Sequence, residues 1–98
     1  AQLYRNTLNY ALATLGPNHL ESARILNNMA YLYYNQNRLS DALTYYQWAL
    51  SSTQAAVGQK DPLYGACLKD YARVLRSMGR TSEALAAESK SDSILSSN

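Results

Sequence analysis

His19, Cys67, Asp70 and Glu88 are the side chains suited to proton transfer, nucleophilic attack or metal ligation. His19 is the only histidine. A catalytic or metal role would need Asp, Glu, Cys or further His clustered with it, and the sequence offers none, so a loop or capping role is expected. Cys67 stands alone on the first turn of a candidate helix. A helix start can depress a thiol pKa and make it reactive, but the position suits a small packing residue better. Asp70 and Glu88 pair with no other carboxylate at helical spacing, and no Gly-rich phosphate loop or nucleophile elbow occurs. The sequence therefore predicts no enzyme, no cofactor and no metal site.

Binding chemistry is better represented. The chain has nine Tyr and no Phe, and charged residues are only 16%. The polar surface must come largely from Ser, Asn, Gln and Thr. Tyr31 and Tyr34 lie off the apolar stripe of their segment, beside Asn27, Asn28 and Asn35, at spacings that share one helix face. Tyr is favoured at binding anchors, and Asn amides can bond the unpaired backbone groups of an extended segment. Arg24, Lys69, Arg73 and Arg76 stand on matching faces against a single Asp70. Such a surface would steer an acidic or carboxylate-ended segment by field and by bidentate Arg contacts. Trp48 falls on the outer side of its helix, where it either packs on a neighbouring side chain or offers a second contact surface.

Composition limits the setting of these residues. Ninety-eight residues allow one domain, and a 47% hydrophobic content is enough for a modest core. One cysteine excludes an intrachain disulfide framework. A formal net charge of +2 is too small to imply nucleic acid as a partner. No apolar run approaches the roughly 20 residues that span a bilayer, and the N-terminus lacks a signal-peptide pattern. The chain starts at Ala1, which suggests a piece of a longer protein or a processed one.

The elements that position the candidates come from an internal repeat. An offset of 42 residues sets Leu26 on Leu68, Ala30 on Ala72, Arg38 on Arg80, Ala42 on Ala84 and Leu43 on Leu85. Tyr4 and Leu8 likewise fall on Tyr46 and Leu50. Each repeat reads as two helices. Leu26, Met29, Ala30 and Tyr33 form one amphipathic stripe, repeated by Leu68, Tyr71, Ala72 and Leu75; Leu39, Ala42, Leu43, Tyr46, Ala49 and Leu50 form another. Asp61-Pro62 supplies an N-cap and a first-turn proline. Ser40 and Ser82 are candidate N-caps, and Gly16, Gly58 and Gly79 can close helices in the left-handed conformation. The spacing predicts helices over 2–15, 20–36, 40–56, 62–78 and 82–95. Such pairs bury their apolar faces only by stacking, with Ala30, Ala42, Ala49, Ala72 and Ala84 at the crossings.

These residues make the chain similar to the tetratricopeptide repeat family. Leu26, Met29, Ala30, Tyr33, Ala42, Tyr46 and Ala49 match that motif, and Leu68, Tyr71, Ala72, Leu75, Gly79 and Ala84 begin the next copy. The 42-residue period, with Leu15-Gly16-Pro17-Asn18-His19-Leu20 and Leu26-Asn27-Asn28-Met29-Ala30, resembles the kinesin-light-chain type more than the usual period of about 34. The resemblance implies an all-α superhelix: five helices in antiparallel pairs in one domain, residues 1–98. Residues 1–18 would be the second helix of a truncated repeat, 19–60 a full repeat, and 61–98 a C-terminal repeat. Its last helix would be a cap, because Glu88, Ser91 and Asp92 replace Tyr46, Ala49 and Leu50 and leave a polar outer face.

The resemblance also implies a non-catalytic module. Its first helices would line a concave groove that receives a protein or peptide segment through Arg24, Asn27, Asn28, Tyr31, Tyr34, Asn35, Lys69, Arg73 and Arg76. The carboxylate clamp of some members is not expected, because Asn27 and Tyr31 stand where Lys and Asn should be. The alternative is a structural or self-association module of a larger assembly or regulatory protein, with the orphan first helix joining copies.

Overall fold

A computed structural model of the chain describes residues 20–96. These residues form four helices and no strand: α1 (Leu20–Asn35), α2 (Leu39–Val57), α3 (Pro62–Ser77) and α4 (Thr81–Ser96). Each lies within one residue of its predicted bounds at either end. The helix expected over 2–15 and the linker Gly16 lie outside the described residues.

Two hairpins, α1–α2 and α3–α4, pack side by side through α2 and α3. Their turns are built identically. After α1, the Asn37 N–H donates to the Tyr34 carbonyl (3.0 Å) and the Arg38 N–H to the Tyr33 carbonyl (2.9 Å). After α3, Gly79 donates to Arg76 (3.0 Å) and Arg80 to Leu75 (2.9 Å). This paired closure of orphan carbonyls needs a left-handed residue at its centre. Asn37 has φ 60° and Gly79 has φ 77°. Gly58, at φ 90°, ends α2.

The start of α3 follows the sequence. Asp61 Oδ1 accepts from the Leu63 N–H at 2.9 Å, with Pro62 at the first helical position. The two serine caps do not form. The tight turns bring the backbone straight into the helix, so Ser40 and Ser82 already lie inside α2 and α4. The first bonds instead run from the Ala42 N–H to the Arg38 carbonyl and from the Ala84 N–H to the Arg80 carbonyl, both 3.0 Å. Asp41 and Glu83, acidic residues in the first turns, face Arg38 and Arg80 in ion pairs of 2.8 Å each.

The core follows the stripes. Leu26, Met29 and Tyr33 of α1 pack with Leu43 and Tyr46 of α2 and with Leu68, Val74 and Leu75 of α3. Ala30, Ala42, Ala49, Ala72 and Ala84 are all 0% exposed, so backbones approach at each crossing without a side chain between them. Tyr71 is half-buried, with its hydroxyl 3.5 Å from Gln47 Nε2, which donates to it. Ser91, expected on a polar outer face, is fully buried and donates to the Gly65 carbonyl at 2.7 Å.

Candidate partner-binding wall

The two first helices of the repeats, α1 and α3, touch through one stripe of α1. The Cys67 thiol of α3 donates to Asn27 Oδ1 at 3.6 Å. Ser77 Oγ donates to the Arg73 carbonyl at 3.1 Å, which leaves Tyr34 Oη to donate to Ser77 at 3.4 Å. These contacts set α1 and α3 side by side. Tyr31, 50% exposed, and its 42-residue counterpart Arg73 then stand on the solvent side of the pair. Asn28 and Asn35 are exposed on the same face of α1.

Between the helices lies a crevice of about 110 Å³. Leu20 and Ala23 of α1, Leu63 and Ala66 of α3, and Thr53 of α2 make its sides; Cys67 and Asn27 meet within it, and Arg24 and Asp70 stand at its edge. Leu63 is 49% exposed although apolar. The crevice residues Leu63, Ala66 and Thr53 were absent from the sequence-based site. Only an exposed apolar position next to the Asp61-Pro62 cap signalled Leu63.

Electrostatics changes the picture drawn from the sequence. Arg24 pairs with Glu21 at 3.5 Å and Arg73 with Asp70 at 3.7 Å, both on the helix surface. Arg76 makes a two-pronged pair with Glu88 of α4, 2.6 Å at each oxygen. Its guanidinium pKa is raised by that bond, and Glu88's carboxyl is held below its usual range by the same partner. The wall therefore does not carry four cations against one carboxylate. Glu21, one helical turn before Arg24, and Glu88, on the neighbouring α4, each neutralise a cation of that stripe. Asp70 is half-buried; burial raises its pKa, against the lowering influence of Arg73 and Lys69. Cys67 is buried, and its thiol is pushed up to about 12, by burial first and Asp70 second. A thiol in that state is a packing group, not a nucleophile.

The nine residues named from the sequence separate into two groups. Arg24, Asn27, Asn28, Tyr31, Tyr34, Asn35 and Arg73 lie along the α1–α3 pair. Lys69 and Arg76 do not. Their 42-residue counterparts are Asn27 and Tyr34, the stripe by which α1 meets α3. In α3 that stripe turns toward α4, where Lys69 shares a depression with Glu88 and Asp92. Trp48 packs on a neighbour, in a column on the α1–α2 hairpin. Arg38 lies 4.7 Å over the Tyr33 ring, Tyr33 stacks on Tyr45 at 5.3 Å, and Tyr45 stacks on Trp48 at 6.2 Å. Among the described residues no group of His, Cys, Asp and Glu is arranged to hold a metal ion, and no helix is long and apolar enough to cross a membrane.

A helical hairpin repeated at a fixed period, stacked through alanine crossings, defines a helical-repeat scaffold. A family model described as tetratricopeptide repeat matches residues 1–55, more than half of the chain. The chain belongs to the tetratricopeptide repeat family. Such repeats generally mediate protein–protein contacts and are typically non-catalytic. A comparison with curated proteins gives no match.

Proposed function

We propose that the chain is a non-catalytic recognition module that holds a segment of a partner protein along the wall formed by α1 and α3. The observation carrying this reading is the side-by-side fixing of the two helices by the Asn27–Cys67 and Tyr34–Ser77 contacts. That arrangement points Tyr31 and Arg73 to one side with an open, largely apolar crevice beside them. Tyr31 supplies contact area at little entropic expense. Asn28 and Asn35 supply bonds for backbone amides, and Arg24 and Arg73 are exposed guanidiniums held only by long ion pairs. Lys69 and Arg76 bind a partner only if it extends past α3 onto the α3–α4 edge.

A photo-crosslinking amino acid placed at Tyr31, and separately at Trp48, tests the proposal in the native host. A partner adduct from position 31 that is lost when Arg73→Ala is added supports it. An adduct formed only from position 48, or from neither, overturns it.

A further inference from the structure

The crevice between α1 and α3 combines two features that together specify what it takes. Its volume, about 110 Å³, is below the roughly 150 Å³ of an apolar cavity that accepts benzene. It has room for one aliphatic side chain. Its surface is largely apolar, and Leu63 is left half-exposed there, so filling it removes apolar surface from water.

At its edge stands Asp70. Its nearest cation, Arg73, lies at 3.7 Å, beyond hydrogen-bond reach, and no donor among the described residues bonds its carboxylate. Arg24, also on the edge, is turned to Glu21 at 3.5 Å. Glu88 of α4 is arranged differently: it is gripped by Arg76 at 2.6 Å through both oxygens. Burial raises Asp70's pKa in spite of Arg73 and Lys69, so those two exposed cations do not compensate its desolvation. A carboxylate in this condition gains most from a donor delivered directly onto it from the dry side.

We propose that the crevice receives an aliphatic side chain of the partner segment, and that a lysine or arginine next to that side chain donates to Asp70. The inference rests on the α1–α3 wall being the binding surface and adds the chemistry of what is read there. An aliphatic–basic pair is thus preferred over an acidic segment.

A random peptide library displayed on phage, selected on the immobilised chain, tests this without knowledge of the natural partner. Enriched peptides should carry Leu, Ile or Val followed within one or two positions by Lys or Arg. Binding of a synthetic copy of the best peptide should fall by about tenfold with Asp70→Asn, the loss expected for one charged hydrogen bond. Ala66→Trp, which fills the crevice from an exposed position, should abolish it. Melting temperatures of both variants, measured beside the affinities, separate lost binding from lost folding. Enriched peptides that lack the basic residue, or that bind the Asp70→Asn variant within twofold of wild type, overturn the inference. In that case the wall reading survives if Tyr31→Ala still weakens them. Peptides indifferent to Tyr31→Ala and Ala66→Trp alike overturn both, and so does a selection that enriches nothing over bare support.

Discussion

Ser91 Oγ donates to the carbonyl oxygen of Gly65 at 2.7 Å from a position of complete burial. One repeat earlier the same two positions are Ala49 and Ala23, also buried. Both hairpins thus cross through a pair of small residues, but by different chemistry. A Cβ on Gly65 would come 3.1 Å from Ile94 Cγ2 and 3.2 Å from Leu95 Cδ2, so glycine is what lets α4 lie this close. The buried hydroxyl needs an acceptor, and the spare lone pair of a helical carbonyl supplies it.

Ser91→Ala should lower stability by about 0.5–1.5 kcal/mol, the net worth of one neutral hydrogen bond. Gly65→Leu should lower it by about 1–3 kcal/mol through overpacking against Ile94 and Leu95. Urea unfolding followed by far-ultraviolet circular dichroism measures both. A Gly65→Leu variant as stable as wild type would mean that α3 and α4 are not in contact at this point.

The helices and their core were legible because the signal repeats: the 42-residue offset pairs Ala30 with Ala72 and Ala42 with Ala84, all fully buried, and of the two turn centres the sequence marked Gly79 but not Asn37. The caps were less legible. Ser40 and Ser82 have the right side chains, yet the two-bond turn closure at Asn37 and Gly79 leaves no residue between turn and helix for them to occupy. In α1 the sequence places Asn27, Asn28, Tyr31, Tyr34 and Asn35 on one face. A helical wheel gives which residues share a face, but not which stripe meets a neighbour. The structure singles out Asn27 and Tyr34 as the stripe that bonds across to α3. Only the structure shows that its repeat in α3, Lys69 and Arg76, faces α4. Of the crevice, only the lining residues Arg24 and Asn27 were named from the sequence as binding residues, because a gap between two helices has no residue of its own.

Full burial of Ala30 and Ala72 makes them sensitive to any added volume. Ala30→Leu or Ala72→Leu should destabilise by about 1–3 kcal/mol or more. Ala86→Leu, on the exposed face of α4, should shift stability by less than about 0.5 kcal/mol. Thermal unfolding of the three variants compares them directly. Equal losses at Ala72 and Ala86 would contradict the crossing geometry.

Alkaline pH should weaken the fold through Cys67 and Tyr46. The Cys67 thiol, ordinarily near 9, is pushed up to about 12 by burial and then by Asp70. Tyr46 is also raised, by burial first and then by Asp70. Between its usual and its raised value, the folded chain keeps a proton that the unfolded chain has released. Stability contributed by the neutral thiol is therefore intact below pH 9 and lost as pH rises toward 12. Urea midpoints at a series of alkaline pH values should fall faster for wild type than for Cys67→Ala. Parallel curves would show that the thiol is not desolvated. At neutral pH the buried thiol should react slowly with Ellman's reagent, at a rate set by opening of the fold.

The left-handed residue of the first turn gives the sharpest local test. Asn37 holds φ 60° where its counterpart Gly79 holds 77°. Asn tolerates this region better than most side chains, and glycine enters it without penalty. Asn37→Gly should therefore leave stability unchanged or slightly raised. Asn37→Val, whose branched side chain crowds the backbone there, should lower it by about 1–2 kcal/mol. The same valine at Gln36, exposed and one residue earlier, serves as the control and should have little effect. The difference between the two valine variants isolates the backbone conformation from helix propensity, because both sites lie in the same exposed turn. If Asn37→Val and Gln36→Val melt together, the paired closure through the Tyr33 and Tyr34 carbonyls does not form in solution. The two hairpin turns would then not be equivalent.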